Sequence, residues 1–266
     1  MTTPTHKEWN TALFLGRAQT VTTIGMVMIF AAFPAIPRDL VIASTVVMAI
    51  FTTIGWLCQW IVAFPLGVFC VVSMFGALFE WFSQVIFSLG IIVYIVVQRH
   101  VVRTGHQLAG FTRGALTEEV AWLAGGSILF SAIALVLWFV MVHPDITDLT
   151  QSFVPNWHWM LLIPAGFAFS MWNAAVEEVV YRGIVMHALE RTVGAGIASL
   201  FGQAIAFGVL HVHGFPRGLS GVGLAMIFGI LMGVIRRQSG GLLVPWGAHV
   251  CADVVIVSIV LLLGRA

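Results

Sequence analysis

Charge is what this sequence lacks. Asp, Glu, Lys and Arg make up 9 % of its 266 residues, against 60 % hydrophobic. A soluble domain of this size needs charged side chains to cover its own surface, so the composition excludes that class. The net charge of +1 with neutral histidines also offers nothing basic enough to hold nucleic acid. Cys58, Cys70 and Cys251 lie apart in apolar runs without paired spacing. They read as buried small hydrophobes, not as nucleophiles or a disulfide framework. Gly-x-Ser-x-Gly, Ser-Lys and His-Glu-x-x-His signatures do not stand out either, which leaves no familiar nucleophile or zinc motif.

What is present is a series of apolar runs of about 20 residues, the length of a membrane-crossing helix, with none of the alternation of barrel strands. The expected fold is all-α: a polytopic transmembrane bundle of about eight spans. A first span covers residues 18–33. Lys7 and Arg17 precede it, and cleavage near Ala31-Ala32-Phe33-Pro34 would need a better small-residue site, so it reads as a retained span. Residues 40–97 hold two long spans, or less comfortably three, with Pro65 as the break. Glu80 and Gln84, one turn apart inside them, read as packing glue between helices. The polar connection 98–119 carries Arg99, Arg103 and Arg113, which places it on the cytoplasmic side. A span over 120–142 leads to an outer loop, 143–156, with Asp145, Asp148 and no Lys or Arg. Trp157-His158-Trp159 then marks interfacial re-entry. A long helix follows to Thr192, then helices over 197–213, 221–235 and 242–263. Residues 1–119 form the N-terminal helices and loop, and 120–266 a core whose last four helices carry the site, all within one integral-membrane domain.

Val176 to Gly183 holds the densest charge in any apolar run. Charged groups at such depth face the protein interior, find partners and mark function. Glu178 and Arg182 are spaced for an i,i+4 ion pair. Glu177, whose i+4 neighbour is Tyr181, is left for chemistry. Antiparallel helices bring residues equidistant from a turn side by side. Turns near Gly194, Leu219 and Ser239 therefore put Glu177, His211, Phe228 and His249 at one level. Asp253 lies one turn beyond His249, and Phe207 one turn before His211, as a wall of the site. Four polar groups meeting at one depth are hard to read as glue alone. His143, His187 and His213 fall outside this arithmetic. Gly202, Gly208, Gly221, Gly223, Gly229 and Gly233 read as close helix contacts.

Glu177 and His211 suit water activation, and His249 with Asp253 suits an oxyanion site, which together would hydrolyse an amide without a covalent intermediate. The same residue types suit zinc in a metallohydrolase. The ordered set Glu177-Glu178-x-x-x-Arg182, Phe207-x-x-x-His211, Phe228-Gly229 and His249-x-x-x-Asp253 resembles the CPBP family, the CAAX proteases and bacteriocin-processing enzymes also called Abi, over about residues 157–262. The resemblance implies an intramembrane glutamate-type endopeptidase that needs no metal or other cofactor. In it Glu177 and His211 activate water, His249 and the last residue hold the oxyanion, and Glu178, Arg182 and Phe207 support them. It implies a membrane-proximal peptide or protein substrate, lipidated or plain, and a multi-pass protein of a bacterial or archaeal cytoplasmic membrane. The family's last position is usually Asn, and here it is Asp253. An ionised Asp repels an oxyanion, so Asp253 is either protonated or orients His249. A zinc-dependent hydrolase and a non-catalytic membrane scaffold remain the alternatives.

Overall fold

A computed structural model describes residues 6–79, 83–102, 112–147, 150 and 154–263. Among them every regular element is helical. These are α1 (His6–Ala32), α2 (Arg38–Leu57), α3 (Ala63–Ala77), α4 (Ser83–Val96), α5 (Glu118–Val142), α6 (Trp159–Glu178), α7 (Met186–Val193), α8 (Ile197–Leu210), α9 (Gly218–Ser239) and α10 (Leu243–Leu263). A π-helical stretch, Val179–Val185, joins α6 to α7, and another, Val97–Val101, follows α4. Glu80, Asp148 and residues 103–111 of the basic connection lie outside the described residues.

The helices are built inside out relative to a soluble bundle. Along α5, Ser127, Ser131 and Trp138 are buried, whereas Leu129, Ile133, Val136 and Val140 are exposed. An apolar outer face suits lipid, and small or polar residues suit contact between helices. Seven described stretches are long and apolar enough to cross a membrane: Gly16–Ala35, Arg38–Leu57, Ser83–Val101, Glu118–Val142, Trp159–Val193, Gly218–Ser239 and Leu243–Leu262. The chain is an integral, multi-pass membrane protein.

The expected eight spans differ from the structure in one break and one length. Residues 40–97 hold two stretches of crossing length, as expected, Arg38–Leu57 and Ser83–Val101, with the shorter α3 between them, and the break does not fall at Pro65. It falls after Cys58, where Gln59 takes a left-handed φ of 54°. Pro65 sits in the first turn of α3, where its missing N–H has no helical acceptor to lose. Secondly, α8 has 14 residues, about 21 Å at the helical rise, short of the roughly 30 Å hydrocarbon core. Of the cysteines only Cys70 is buried, while Cys58 and Cys251 are exposed, Cys58 in the turn after α2 and Cys251 on α10. His158 does more than decorate an aromatic belt: its Nδ1 accepts from the Met160 N–H at 3.4 Å and caps α6.

The chain divides into two compact units, Met1–Leu108 with Ile184–Gly202, and Ala109–Gly183 with Gln203–Ala266. In the first, α3 packs on α1, α2 and α4 around the rings of Phe30, Phe69 and Phe87. In the second, α10 packs against α5, α6 and α9, with Val120, Ala124, Met232, Ile235 and Ala248 as the core. The segment before α5 is pinned to the α9–α10 turn. Ala115 N–H donates to Ser239 O at 2.7 Å, and Leu242 N–H donates to Thr112 O at 2.9 Å. Trp246 Nε1 donates to Met171 O at 3.0 Å, tying α10 to α6.

Glycine sets the spacing of α8 and α9. A Cβ on Gly208 would run into Met226 and lie 2.9 Å from Val222 O, whereas one on Gly223 would meet open space. Gly208→Val should therefore destabilise the detergent-solubilised protein by about 1–3 kcal/mol, since a backbone carbonyl cannot step aside. Gly223→Ala should stay within about 0.5 kcal/mol. Thermal unfolding of both variants measures the difference.

Candidate active site

Two faces with the same period build the site. On α6, Asn173 and Glu177 are four residues apart, with Glu178 next to them. On α10, His249 and Asp253 are four apart. The two helices run antiparallel along one seam. A Cβ on Gly166 would lie 2.6 Å from Val257, Asn173 meets Asp253, and Glu178 meets His249. The small residue near one end of the seam lets the polar residues approach within hydrogen-bonding distance further along it.

Glu178 is the hub. Its Oε1 lies 2.8 Å from Arg182 Nη1 and 2.7 Å from His249 Nδ1. Beside a guanidinium the carboxylate can only accept, so His249 presents Nδ1–H to it and turns Nε2 the other way. Arg182 is wholly buried. Its Nη2 reaches Gly229 O at 3.5 Å, and its guanidinium lies 4.7 Å from the centroid of the Phe207 ring. Gly229 O also accepts from Gln203 Nε2 at 2.8 Å. A Cβ on Gly229 would lie 3.1 Å from Ala204 Cα, so the missing side chain is what allows α8 and α9 to close on this carbonyl.

The other nitrogen of His249, Nε2, lies 3.6 Å from Glu177 Oε2 and 3.6 Å from Asp253 Oδ1. Both distances exceed a direct hydrogen bond, and a small polar molecule seated beside the three atoms can contact each of them. Asp253 Oδ2 accepts from Asn173 Nδ2 at 2.9 Å. His211 Nδ1 lies 3.0 Å from Phe207 O. A carbonyl only accepts, so Nδ1 carries the hydrogen, and in a neutral ring Nε2 is the acceptor.

Glu177, His249 and Asp253 thus meet, and Glu178 and Arg182 form the pair their spacing suggested. Phe207 walls the site, with ring centroids 5.1 Å from Tyr181, 4.8 Å from His211 and 5.9 Å from His249. His211 lies against Phe207 and makes no direct hydrogen bond or ion pair with Glu177. The carboxylate that orients His249 through Nδ1 is Glu178, not Asp253, because the i+4 spacing presents Asp253 to the opposite nitrogen. Glu178 therefore does more than pair with Arg182. Among the described residues no group of three or more His, Cys, Asp or Glu is arranged to hold a metal ion. Sequence reasoning passed over Asn173 and Gln203. Each lies one turn before a residue it did single out, Glu177 and Phe207, and that spacing is the signal that would have found them.

Residues 157–255 match the family model described as type II CAAX prenyl endopeptidase, Rce1-like. No curated protein and no solved structure matches the chain.

Removing one member of a buried ion cluster strands the rest. Arg182→Leu should cost about 3–5 kcal/mol, because Glu178 would stay buried without its cation. Arg182→Leu with Glu178→Leu should cost less than Arg182→Leu alone, since neither buried charge remains and His249 can then stay a neutral imidazole. Unfolding temperatures of the two variants in one detergent decide it.

Proposed function

We propose, from the premise that residues 157–255 form an Rce1-like endopeptidase domain consistent with the CPBP family, that this chain hydrolyses a membrane-proximal peptide bond with activated water and no metal. One observation carries the reading. The imidazole of His249 is clamped through Nδ1 by Glu178, while Nε2 faces a gap flanked by Glu177 and Asp253 at 3.6 Å each.

In this scheme Glu177 takes a proton from water, with the Nε2 lone pair of His211 as the second acceptor at the site. The oxygen attacks the peptide carbonyl and forms a tetrahedral oxyanion. His249, as an imidazolium countered by Glu178, donates from Nε2 to that oxygen. Asp253 donates beside it in its neutral form. When the C–N bond breaks, the proton held by Glu177 passes to the leaving amine, and Glu177 returns as a base. Charge accounting favours a neutral carboxyl. Three carboxyls, Glu177, Glu178 and Asp253, face one guanidinium and His249, so neutrality needs an extra proton even with His249 charged.

Glu178 and Arg182 hold His249 in orientation, and Phe207 keeps the rings apart from solvent. The substrate is a peptide or protein presented at the bilayer. The matched family's description names prenyl substrates, and comparing lipidated with plain peptides of one sequence tests whether a lipid is read here.

Glu177→Gln and His211→Ala should each lower cleavage of a quenched fluorescent, membrane-anchored peptide by at least about 10²-fold, with unfolding temperatures close to the parent's. Full activity in Glu177→Gln would remove the hydrolytic reading and favour a scaffold. EDTA or 1,10-phenanthroline should leave the rate unchanged; loss restored by zinc would instead support the metallohydrolase.

A further inference from the structure

Asp253 is the position where the site needs a donor and the sequence supplies an acid, and the residue that resolves this lies on the other helix. Asn173 is more than nine-tenths buried and sits one turn before Glu177 on α6. Its Nδ2 donates to Asp253 Oδ2 at 2.9 Å. The other oxygen, Oδ1, is the one that faces His249 Nε2 at 3.6 Å. An oxygen that accepts a hydrogen bond from an amide is a poor place for a proton on the same carboxyl, because the two hydrogens would collide. Any proton on Asp253 therefore belongs on Oδ1, where it points toward the gap shared by Glu177 and His249. The orientation also matters when the carboxyl is ionised, since the amide stabilises Oδ2 and leaves Oδ1 as the more exposed charge.

We infer that Asn173 is a positioning residue, which occupies Asp253 Oδ2 and so makes Oδ1 the proton-bearing donor aimed at the reacting oxygen. Asn173 and Asp253 work as one amide–acid unit across the α6–α10 seam. This rests on the hydrolytic reading above and adds the direction of one hydrogen bond to it. The direction is what counts: residue 173 must donate and residue 253 must accept on the seam side, leaving a donor on the side of the gap. In Asp253→Asn the same rule holds. Asn173 donates to the new amide's oxygen and turns its NH2 to the place of Oδ1.

The reversed pair, Asn173→Asp with Asp253→Asn, separates this from a structural role. It keeps a hydrogen bond of the same length across the same seam. The bond now runs from residue 253 to residue 173, so an acceptor, not a donor, faces the gap. The expected result is a kcat at least about tenfold below that of Asp253→Asn alone, with KM within about twofold, as for losing an oxyanion donor. Equal kcat in the reversed pair and in Asp253→Asn would overturn the proposal.

A second measurement does not depend on turnover. Infrared difference spectra of the purified protein should show a protonated-carboxyl C=O stretch that disappears in Asp253→Asn and shifts in Asn173→Ala. A band unchanged in both variants would overturn the proposal, whatever the activity. If instead the parent shows this band and its responses but Glu177→Gln cleaves peptide as well as the parent, the hydrolytic reading fails and the assignment of the proton stands.

Discussion

The contact on which the rest depends is the shared oxygen, Glu178 Oε1, held at 2.8 Å by Arg182 and at 2.7 Å by His249. Burying a guanidinium in a membrane bundle costs several kcal/mol, and a single counter-charge seldom offsets it unless other groups satisfy the remaining donors. Here the compensation is spread over three helices. Glu178 lies at the end of α6, the Gly229 carbonyl comes from α9, and the Phe207 face from α8 lies 4.7 Å away. Gln203 binds the same carbonyl and fixes it in place. The cluster is therefore a registration device. It forms only when these helices and α10 stand at one relative height, and that height is the one at which His249 Nε2 faces Glu177.

Backbone irregularity falls where this cluster is anchored. Regular α-helix ends at Glu178, and Val179–Val185 is π-helical, so Arg182 projects from a wider turn than its neighbours on α6. Short π segments inside α-helices are frequent at functional sites. A wider turn alters the direction of every side chain after it relative to continuous α-helix. Tyr181 and Arg182 both end against Phe207, although they are adjacent in sequence and would diverge by about 100° on an ideal helix.

Much of this was legible in the sequence because membranes make sequence patterns blunt. Apolar length gave the spans, and the cost of buried charge singled out Glu177, Glu178 and Arg182. Counting residues from the turns put Glu177 beside His249, which works because α6 and α10 are direct antiparallel neighbours. Counting gives height but not azimuth, so it does not say that the His211 ring lies against Phe207, 4.8 Å away. Azimuth also hid the second role of Glu178: nothing in the spacing says that one carboxylate oxygen serves both Arg182 and His249. Asn173 and Gln203 were passed over because a lone amide in an apolar run is usually interhelical glue. The place of the break within residues 40–97 was hidden for another reason. Proline is the loudest break signal in a sequence, yet at the first turn of a helix it is compatible with continuation, and the real reversal uses a left-handed Gln59 that no composition rule marks.

Positioning and packing are the same task along the α6–α10 seam. Gly166 against Val257, Asn173 against Asp253, and Glu178 against His249 follow one another along two rigid helices. A side chain added at Gly166 thus acts at a distance through helix separation, without touching a polar group. Water activation and oxyanion donation both fall steeply with misplacement of an ångström or less. The gap around His249 Nε2 is bounded on both sides by groups from this seam, Glu177 from α6 and Asp253 from α10. Widening the seam would lengthen the Glu177 and Asp253 distances unequally, because His249 and Asp253 share α10 and move together while Glu177 stays with α6. Glu177 is therefore the member most sensitive to packing remote from it, and the small residues of α6 belong to the geometry around His249 as much as the charged ones do.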